Sequence, residues 1–345
     1  MLLQRFIERY KKARKQEYLN LPSNYRYRYA FIGAGQHSFS NLYPVLHHLG
    51  VPLSTVCTLH RDHAEKMATR FKDCIGTDQL QEILNNDSVK GVFVSANPNQ
   101  HFQLVQQLLS AGKTVFVEKP PCYSLQELEQ LVQHPRSGYC LPGLQKRFST
   151  INQLLQRYTG SAIDYSYRYF TGAYPEGDAL AELFIHPIDN AVYLFGEIKK
   201  AYIQPSLKNR NNYVLSVVHA SNTTGVIHLS IDHSWKIPVD ELLINAGGEI
   251  LQATYPNRLV STSKSPVYLN VPLEKISKRP VTQHVLLDNN HFVPTVPNNN
   301  IATQGFLGEI SYFLQVTEKD ETLTRHHLRS LLPTYTIIEK MRLQG

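Results

Sequence analysis

The 345-residue chain has only four cysteines, and no two of Cys57, Cys74, Cys122 and Cys140 stand in a C-x-x-C spacing. A chain of this length needs no disulfide staples, so its thiols are expected to be reduced and the protein cytoplasmic. No apolar run approaches the length of a membrane span. The opening Met1-Leu2-Leu3-Gln4-Arg5-Phe6-Ile7-Glu8-Arg9 lacks the continuous apolar stretch of a secretory signal. No H-E-x-x-H and no Cys/His set accompanies the fifteen histidines, so no metal is expected. A G-x-S-x-G elbow, which would point to a hydrolase, is also missing. The formal charge of +7 suggests anionic ligands. The basic residues are scattered and no helix-turn-helix or RNP pattern occurs, so neither nucleic acid nor membrane is an expected partner.

What is present is strand–helix alternation with charged residues at the strand ends. Thr114-Val115-Phe116-Val117 reads as a buried strand stopped by Glu118-Lys119-Pro120-Pro121. The carboxyl edge of an open α/β sheet is where ligands bind, and proline stiffens the backbone carrying Lys119. Upstream, the β-rich run 27–32 leads into Gly33-Ala34-Gly35-Gln36-His37-Ser38, a G-x-G-x-x-S form of the dinucleotide fingerprint. The first glycine permits the tight turn and the second lets backbone approach a pyrophosphate. Ser38 stands at the small third position, and the helix about Phe39–Leu49 presents its N-terminus. The next strand, Ser54–Leu59, ends at His60-Arg61. No acidic residue occurs between Gly35 and Arg61, whereas NAD sites usually place one there. Arg61 suits a 2′-phosphate, so NADP is favoured over NAD as cofactor.

Further along, Val89–Ser95 reads as a strand, Asn97-Pro98 as the start of a helix through Leu109, and Ser124-Leu125-Gln126-Glu127 as a capping box. Asp178 onward reads as a helix in which Glu182 and His186 share a face and Asp189 neighbours His186. Pro187 predicts a kink there. From Ser161 the alternating runs Ala162–Phe170, Tyr213–Ala220, Thr224–Asp232 and Glu241–Asn245 predict an antiparallel sheet, closed by helices over Gln304–Val316 and His326–Arg342.

The Gly33–Ser38 turn, Ser95-Ala96-Asn97-Pro98-Asn99-Gln100-His101, Glu118-Lys119-Pro120 and Glu182-x-x-x-His186-x-x-Asp189 together resemble the glucose–fructose oxidoreductase/inositol dehydrogenase (Gfo/Idh/MocA) family. The likeness spans most of the chain from about residue 27 onward. It implies an α/β fold: an N-terminal Rossmann domain (25–143) and a C-terminal α+β domain (144–345) with a large, mostly antiparallel open sheet. Residues 1–24 are an added helical extension. Its basic cluster Arg9–Lys15 is either a solvated face or a partner contact, and its apolar stripe packs on the domain or on a second subunit.

In this resemblance Lys119 and His186 are the catalytic pair, with Glu182 where the family usually has Asp and Phe184 where it often has Gly. The cofactor-binding set is Gly33, Gly35, Gln36, His37, Ser38, His60, Arg61, Ser95, Asn97, His101, Glu118 and Lys119, with His101 alternatively a surface or capping residue. The substrate-binding set is Lys119, Arg147, His186 and Asp189, with Arg147 alternatively in a salt bridge. The implied activity is hydride transfer between NADP (or NAD) and a sugar, polyol or sugar-derived ketone, in a homodimer or homotetramer. Two alternatives stay open. One is a reductase of C=N or conjugated bonds, of the imine or biliverdin type, using the aromatic run Tyr165, Tyr167, Tyr169, Phe170 and Tyr174. The other is a cofactor-sensing regulatory protein.

Overall fold

The computed structural model describes residues 2–19, 25–173, 177–209, 211–276, 283–289 and 299–344. Tyr174 and the expected helix stop at residues 21–24 lie outside them. Helix α1, Leu2–Leu19, forms as expected, and Leu3 and Phe6 on its apolar stripe stay largely exposed rather than packing on the domain.

Six strands form the first sheet: β1 (Arg28–Ile32), β2 (Leu53–Cys57), β3 (Ile75–Thr77), β4 (Val89–Val94), β5 (Thr114–Glu118) and β6 (Cys140–Gly143). Their near-continuous burial is what a parallel sheet covered on both faces requires. Every pairing is parallel, in the order β3-β2-β1-β4-β5-β6. The chain therefore switches direction across the sheet between β1 and β4, where ligand crevices open. Register places Ile32 beside both Cys57 and Val94, and Val94 beside Val117. The residues that follow these strands consequently share one rim.

The connecting helices are α2 (Tyr43–His48), α3 (Arg61–Ala68), α4 (Gln81–Leu84), α5 (Pro98–Ser110) and α6 (Leu125–Gln133). Asn97 caps α5 by accepting Asn99 N–H (3.1 Å), and α6 opens on the expected capping box between Ser124 and Glu127. The helix expected over Phe39–Leu49 is instead a π-helical turn, Ser38–Leu42, running into α2.

After α7 (Thr150–Leu155), β7 (Asp164–Phe170) begins the second sheet, and a π-helical turn at Leu180–Phe184 leads into α8 (Ile185–Phe195). Strands β8 (Ile198–Pro205), β9 (Asn212–His219), β10 (Thr224–Ser230), β11 (Val239–Asn245), β12 (Glu249–Thr254) and β13 (Arg258–Ser263) follow. A small hairpin of β14 (Val267–Tyr268) and β15 (Val271–Pro272) precedes β16 (Gln283–Asp288). The eight-stranded order is β16-β13-β12-β11-β7-β10-β9-β8. It is antiparallel except where β7 meets β10, because β7 lies mid-sheet between two later hairpins. Inward residues such as Tyr167, Leu215, Ile227 and Leu242 join α8 in one core with α11 (Leu332–Gln344).

The short α9 (Asn300–Thr303) precedes α10 (Phe306–Lys319). Helix α10 returns to the first sheet, with the Phe313 ring 4.9 Å from Phe93 and 6.0 Å from Phe116. By packing, the first domain thus includes a helix that the division at 143/144 gives to the second. Among the described residues no helix is long and apolar enough to cross a membrane, and no group of three or more His, Cys, Asp or Glu could hold a metal ion.

Candidate active site

The rim of the first sheet is built around a glycine turn. Gly33 has φ +114°, and a Cβ there would sit 2.0 Å from the carbonyl oxygen of Ser95. Only glycine fits, both for conformation and for the close approach of β4. A Cβ on Gly35 would meet nothing within 4 Å and would enter the adjoining cavity. Ser38 is buried and donates its hydroxyl to Ser95 Oγ (2.9 Å), giving the close helix–strand packing for which a small residue is needed. The cavity, about 620 Å³, is lined by Gly33, Gly35, His60, His63, Asp78 and Asn97 among others.

This cradle of one obligatory glycine, one open glycine and a helix-capping Asn fits a dinucleotide phosphate. Gly33→Ala is expected to lower both thermal stability and dinucleotide affinity, since the forced left-handed backbone alone costs about 1–2 kcal/mol. Gly35→Ala, with space for its methyl group, is expected to keep the melting temperature and raise the dinucleotide Kd. Thermal denaturation and calorimetry on the two variants separate these outcomes.

Several expected cofactor ligands have other partners. Gln36 donates to Ser40 Oγ (3.1 Å). Arg61 is exposed and paired with Glu65 (3.0 Å), one helical turn on, and does not line the cavity, whereas His60 does. His101 is neither a cofactor ligand nor a surface residue. It is buried, with Nδ1 donating to the Pro120 carbonyl (2.8 Å) and Nε2 lying 3.1 Å from the Ala96 carbonyl. Burial holds its pKa down despite these contacts. The ring clamps the loops after β4 and β5 together and so fixes the backbone next to Lys119.

At the end of β5, Glu118 is buried against His37, whose Nε2 lies 3.1 Å from Oε1. Burial alone would raise the carboxyl's pKa, but the charges of His37 and Lys119 hold it low. Burial likewise pulls His37 down, and Glu118 more than compensates. The result is a hydrogen-bonded His37–Glu118 contact next to the glycine turn.

Lys119, in a cis peptide with Pro120, crosses to the second domain. Its Nζ donates to the Glu182 carbonyl oxygen (2.8 Å). Burial depresses its pKa, opposed by Glu118 and Glu182. His186 lies nearby at the start of α8. Burial holds its pKa well below the usual imidazole range, and the charges of Lys119, Lys146 and His37 push the same way. Lys119 thus reaches the segment that carries His186, and its charge acts on that ring.

Glu182 departs from expectation. Its carboxylate accepts from Tyr123 Oη (2.7 Å) and Asp178 N (3.3 Å), and among the described residues no hydrogen bond joins it to His186. The cause is local: residues 180–184 form a π-turn, closed by i→i+5 bonds, so residues four apart no longer stack. Pro187, which cannot donate to Leu183, lies just beyond. The backbone carbonyl of Glu182 thus holds Lys119, while its carboxylate is turned to Tyr123.

Arg147 and Asp189 also turn away from the expected role. They bond each other, Arg147 Nε donating to Asp189 Oδ2 (2.8 Å) and Nη2 to Oδ1, and both are buried. Ser330 Oγ accepts from Arg147 (2.7 Å), and Thr334 donates to Asp189 (3.3 Å). Of the two readings of Arg147, the salt bridge holds, but inside the protein rather than on its surface.

A second cavity of about 180 Å³ adjoins His186 and is lined by Lys146, Tyr169, Asp240, Tyr255 and Gln304. Lys146 is ion-paired with Asp240 and donates to Tyr167 Oη (3.2 Å). Its ammonium lies 4.9 Å from the Tyr255 ring centroid. These residues were missed in the sequence. Lys146 adjoins Arg147, but in the tight 3₁₀ turn Gln145–Phe148 neighbours point to different sides, and no periodicity says which one faces the cavity. Asp240, Tyr255 and Gln304 come from distant segments with no motif around them.

The fold is that of a two-domain protein with a Rossmann-type first sheet and a large second sheet, with a cavity beside each. Residues 27–141 match the model of the oxidoreductase family with an NAD-binding Rossmann fold, Gfo/Idh/MocA. It is 30% identical over 207 residues to the uncharacterized oxidoreductase YhhX of Escherichia coli (strain K12), covering 53% of this chain and 58% of that protein. It spans 25% of a glycosyl hydrolase family 109 protein of Shewanella sp. (strain ANA-3). In three dimensions it is similar to a dehydrogenase from Chromobacterium violaceum, with TM-score 0.76 at 19% identity over 92% of this chain and 95% of that one. It is also similar to KijD10, a 3-ketoreductase from Actinomadura kijaniata in complex with TDP-benzene and NADP, with TM-score 0.69 at 16% identity over 92% and 96%.

Proposed function

We propose that this protein is an NADP(H)-dependent oxidoreductase acting on a hydroxylated carbon of a sugar, polyol or sugar-derived ketone. The observation carrying this reading is that Lys119, at the rim of the first sheet, donates to the carbonyl of Glu182, four residues before His186, which lines a small cavity with Lys146, Asp240 and Gln304. A nicotinamide dinucleotide, its phosphates cradled by the glycine turn, would supply the hydride acceptor or donor. His186 then takes the substrate's hydroxyl proton on a ring nitrogen as the alcohol becomes a ketone, and returns it in the reverse direction. The Lys119 ammonium donates to the same oxygen and favours its developing negative charge. The similar structure of KijD10, a complex with NADP, supports that cofactor.

The lining of the small cavity supports a hydroxylated substrate over the flat one of an imine or biliverdin-type reductase. Lys146, Asp240 and Gln304 are polar, although Tyr169 of the expected aromatic run also lines the wall, while Tyr165 and Tyr167 are buried in the core. A purely regulatory role would leave Lys119 and His186 without a use. The outer face of the second sheet exposes Tyr202, Leu243 and Ile250, an apolar surface suited to a second copy. Light scattering that shows a monomer at micromolar concentration would remove the homodimer or homotetramer.

The test of function is turnover over a panel of sugars and polyols with NADP⁺, followed by NADPH absorbance. A pH prediction accompanies it. With its pKa held below the usual range, His186 remains an unprotonated base below pH 7. In the oxidation direction kcat/KM is therefore expected to stay level as pH falls from 7.5 to about 6, where an ordinary imidazole of pKa about 6.5 would lose most of its base form. Reduction, which needs the protonated ring, should slow as pH rises over the same interval. A bell-shaped or falling oxidation profile with a midpoint near 6.5 would contradict the role given to His186.

A further inference from the structure

Helix α1 differs from the rest of the protein in its surface. Leu3, Phe6, Ile7 and Tyr10 recur at the spacing that puts residues on one helical stripe. They are 74%, 70%, 43% and 56% exposed, and Leu3, Phe6 and Ile7 join neither hydrophobic core. Arg5, Arg9 and Lys12 repeat at a similar spacing on the opposite side, and all three are exposed. Exposed Lys11 lies along one flank of the apolar stripe. With Arg14 and Lys15 the helix has six basic residues against Glu8 and Glu17. These 18 residues thus hold more than half of the chain's formal charge of +7.

We infer that α1 docks in the plane of an anionic lipid surface, with its apolar stripe at the acyl-chain boundary and its basic residues among the phosphate headgroups. A helix that lies on a bilayer combines low overall hydrophobicity, a cationic polar face and Leu or Phe on the other face, and its stripe sinks about 5–10 Å below the headgroups. Among the described residues no helix is apolar enough to cross the bilayer, so the contact is peripheral and the two domains remain on the water side. Charge complementarity selects this occupant. Two copies of α1 packed stripe to stripe would bring two sets of six basic residues together, which repel. A nucleic acid would match the cations but leave Leu3, Phe6 and Ile7 in water. An anionic bilayer covers the stripe and neutralises the cations at once. The expectation of no membrane partner follows from charge scattered over the whole chain, and α1 corrects it by concentrating cations and apolar area in one helix. The inference is independent of the catalytic reading.

The test is co-sedimentation of the full chain with vesicles of phosphatidylcholine alone and of phosphatidylcholine mixed with phosphatidylglycerol. It is run at low ionic strength and at about 1 M salt, where the Debye length falls to about 3 Å. Each basic residue near an anionic surface strengthens binding about fivefold. Binding to the mixed vesicles is therefore expected to exceed binding to phosphatidylcholine by at least about a hundredfold and to fall steeply in high salt. Phe6→Ser/Ile7→Ser should weaken it at least about tenfold with the melting temperature unchanged, and Arg9→Glu/Lys12→Glu should weaken it at least about tenfold as well. Equal binding to both vesicle types, or binding to neither, would overturn the inference. So would full binding by Phe6→Ser/Ile7→Ser, which is what a purely ionic contact with a polyanion such as nucleic acid gives. A smaller assembly by light scattering or a lower melting temperature in that variant would overturn it too, because the stripe would then be covered by a second copy or by the chain itself.

Discussion

Lys119→Ala and His186→Ala each lower kcat/KM for the oxidised substrate by about 10²–10⁴-fold, the range a positioned acid/base commonly contributes. Their geometry predicts the way in which they combine. Lys119 is held by the Glu182 carbonyl, its charge acts on His186, and in the proposed mechanism the two side chains serve one oxygen atom. Groups that act as a unit are not additive, and the double variant should be little slower than the worse single one. Lys119→Arg keeps the charge but not the compact ammonium that reaches the Glu182 carbonyl, and should recover only part of the rate. Steady-state kinetics on the four proteins, with dinucleotide Kd measured in parallel, checks this. Full activity in either alanine variant would end the assignment.

The second large effect is on stability. Asp189→Asn leaves the Arg147 guanidinium buried without its counter-charge. Breaking a buried pair by removing one partner typically costs about 3–5 kcal/mol. The denaturant midpoint should fall accordingly, and Arg147→Leu should fall by a similar amount. Replacing both at once, Arg147→Met with Asp189→Leu, should recover much of the loss, because two apolar side chains of similar volume restore packing without an orphaned charge. The Ser330 and Thr334 hydroxyls that now join the pair are the remaining penalty. Equal instability of the double variant and the singles would show that the hydrogen-bonded network, not charge pairing, is what this region needs.

The parts of this site legible in the sequence are those where one residue type answers a local geometric demand. Gly33 is such a case: a left-handed turn beneath a neighbouring strand admits nothing larger, and the run of β residues before it marks the turn's place. Ser124 and Glu127 are another, because both halves of a capping box lie within four residues. Strand β5 followed by Glu118-Lys119-Pro120 is a third. The alternation of the second half foretold an open sheet, although not that β7 would run parallel to β10.

Sequence left open which partner a polar side chain takes where several are within reach. Arg61 met Glu65 on its own helix, Arg147 met Asp189 from α8, and His101 spanned two backbone carbonyls. Each is a polar group whose burial or pairing depends on elements distant in sequence. The helical spacing of Glu182 and His186 was read correctly as spacing, but the π-turn changed its meaning.

Residue types, order and local periodicity by themselves determined a parallel dinucleotide-binding sheet, a second mostly antiparallel sheet, and a lysine and a histidine as candidate chemistry. These follow from interactions within a few residues, which a linear pattern records. Only the tertiary structure decided which cations face the cavities, that α10 returns to the first sheet, and that Lys146, Asp240, Tyr255 and Gln304 line the wall beside His186. The physical reason is that desolvation and ion pairing act between side chains brought together by packing, and no spacing along the chain encodes which partner a buried charge will find.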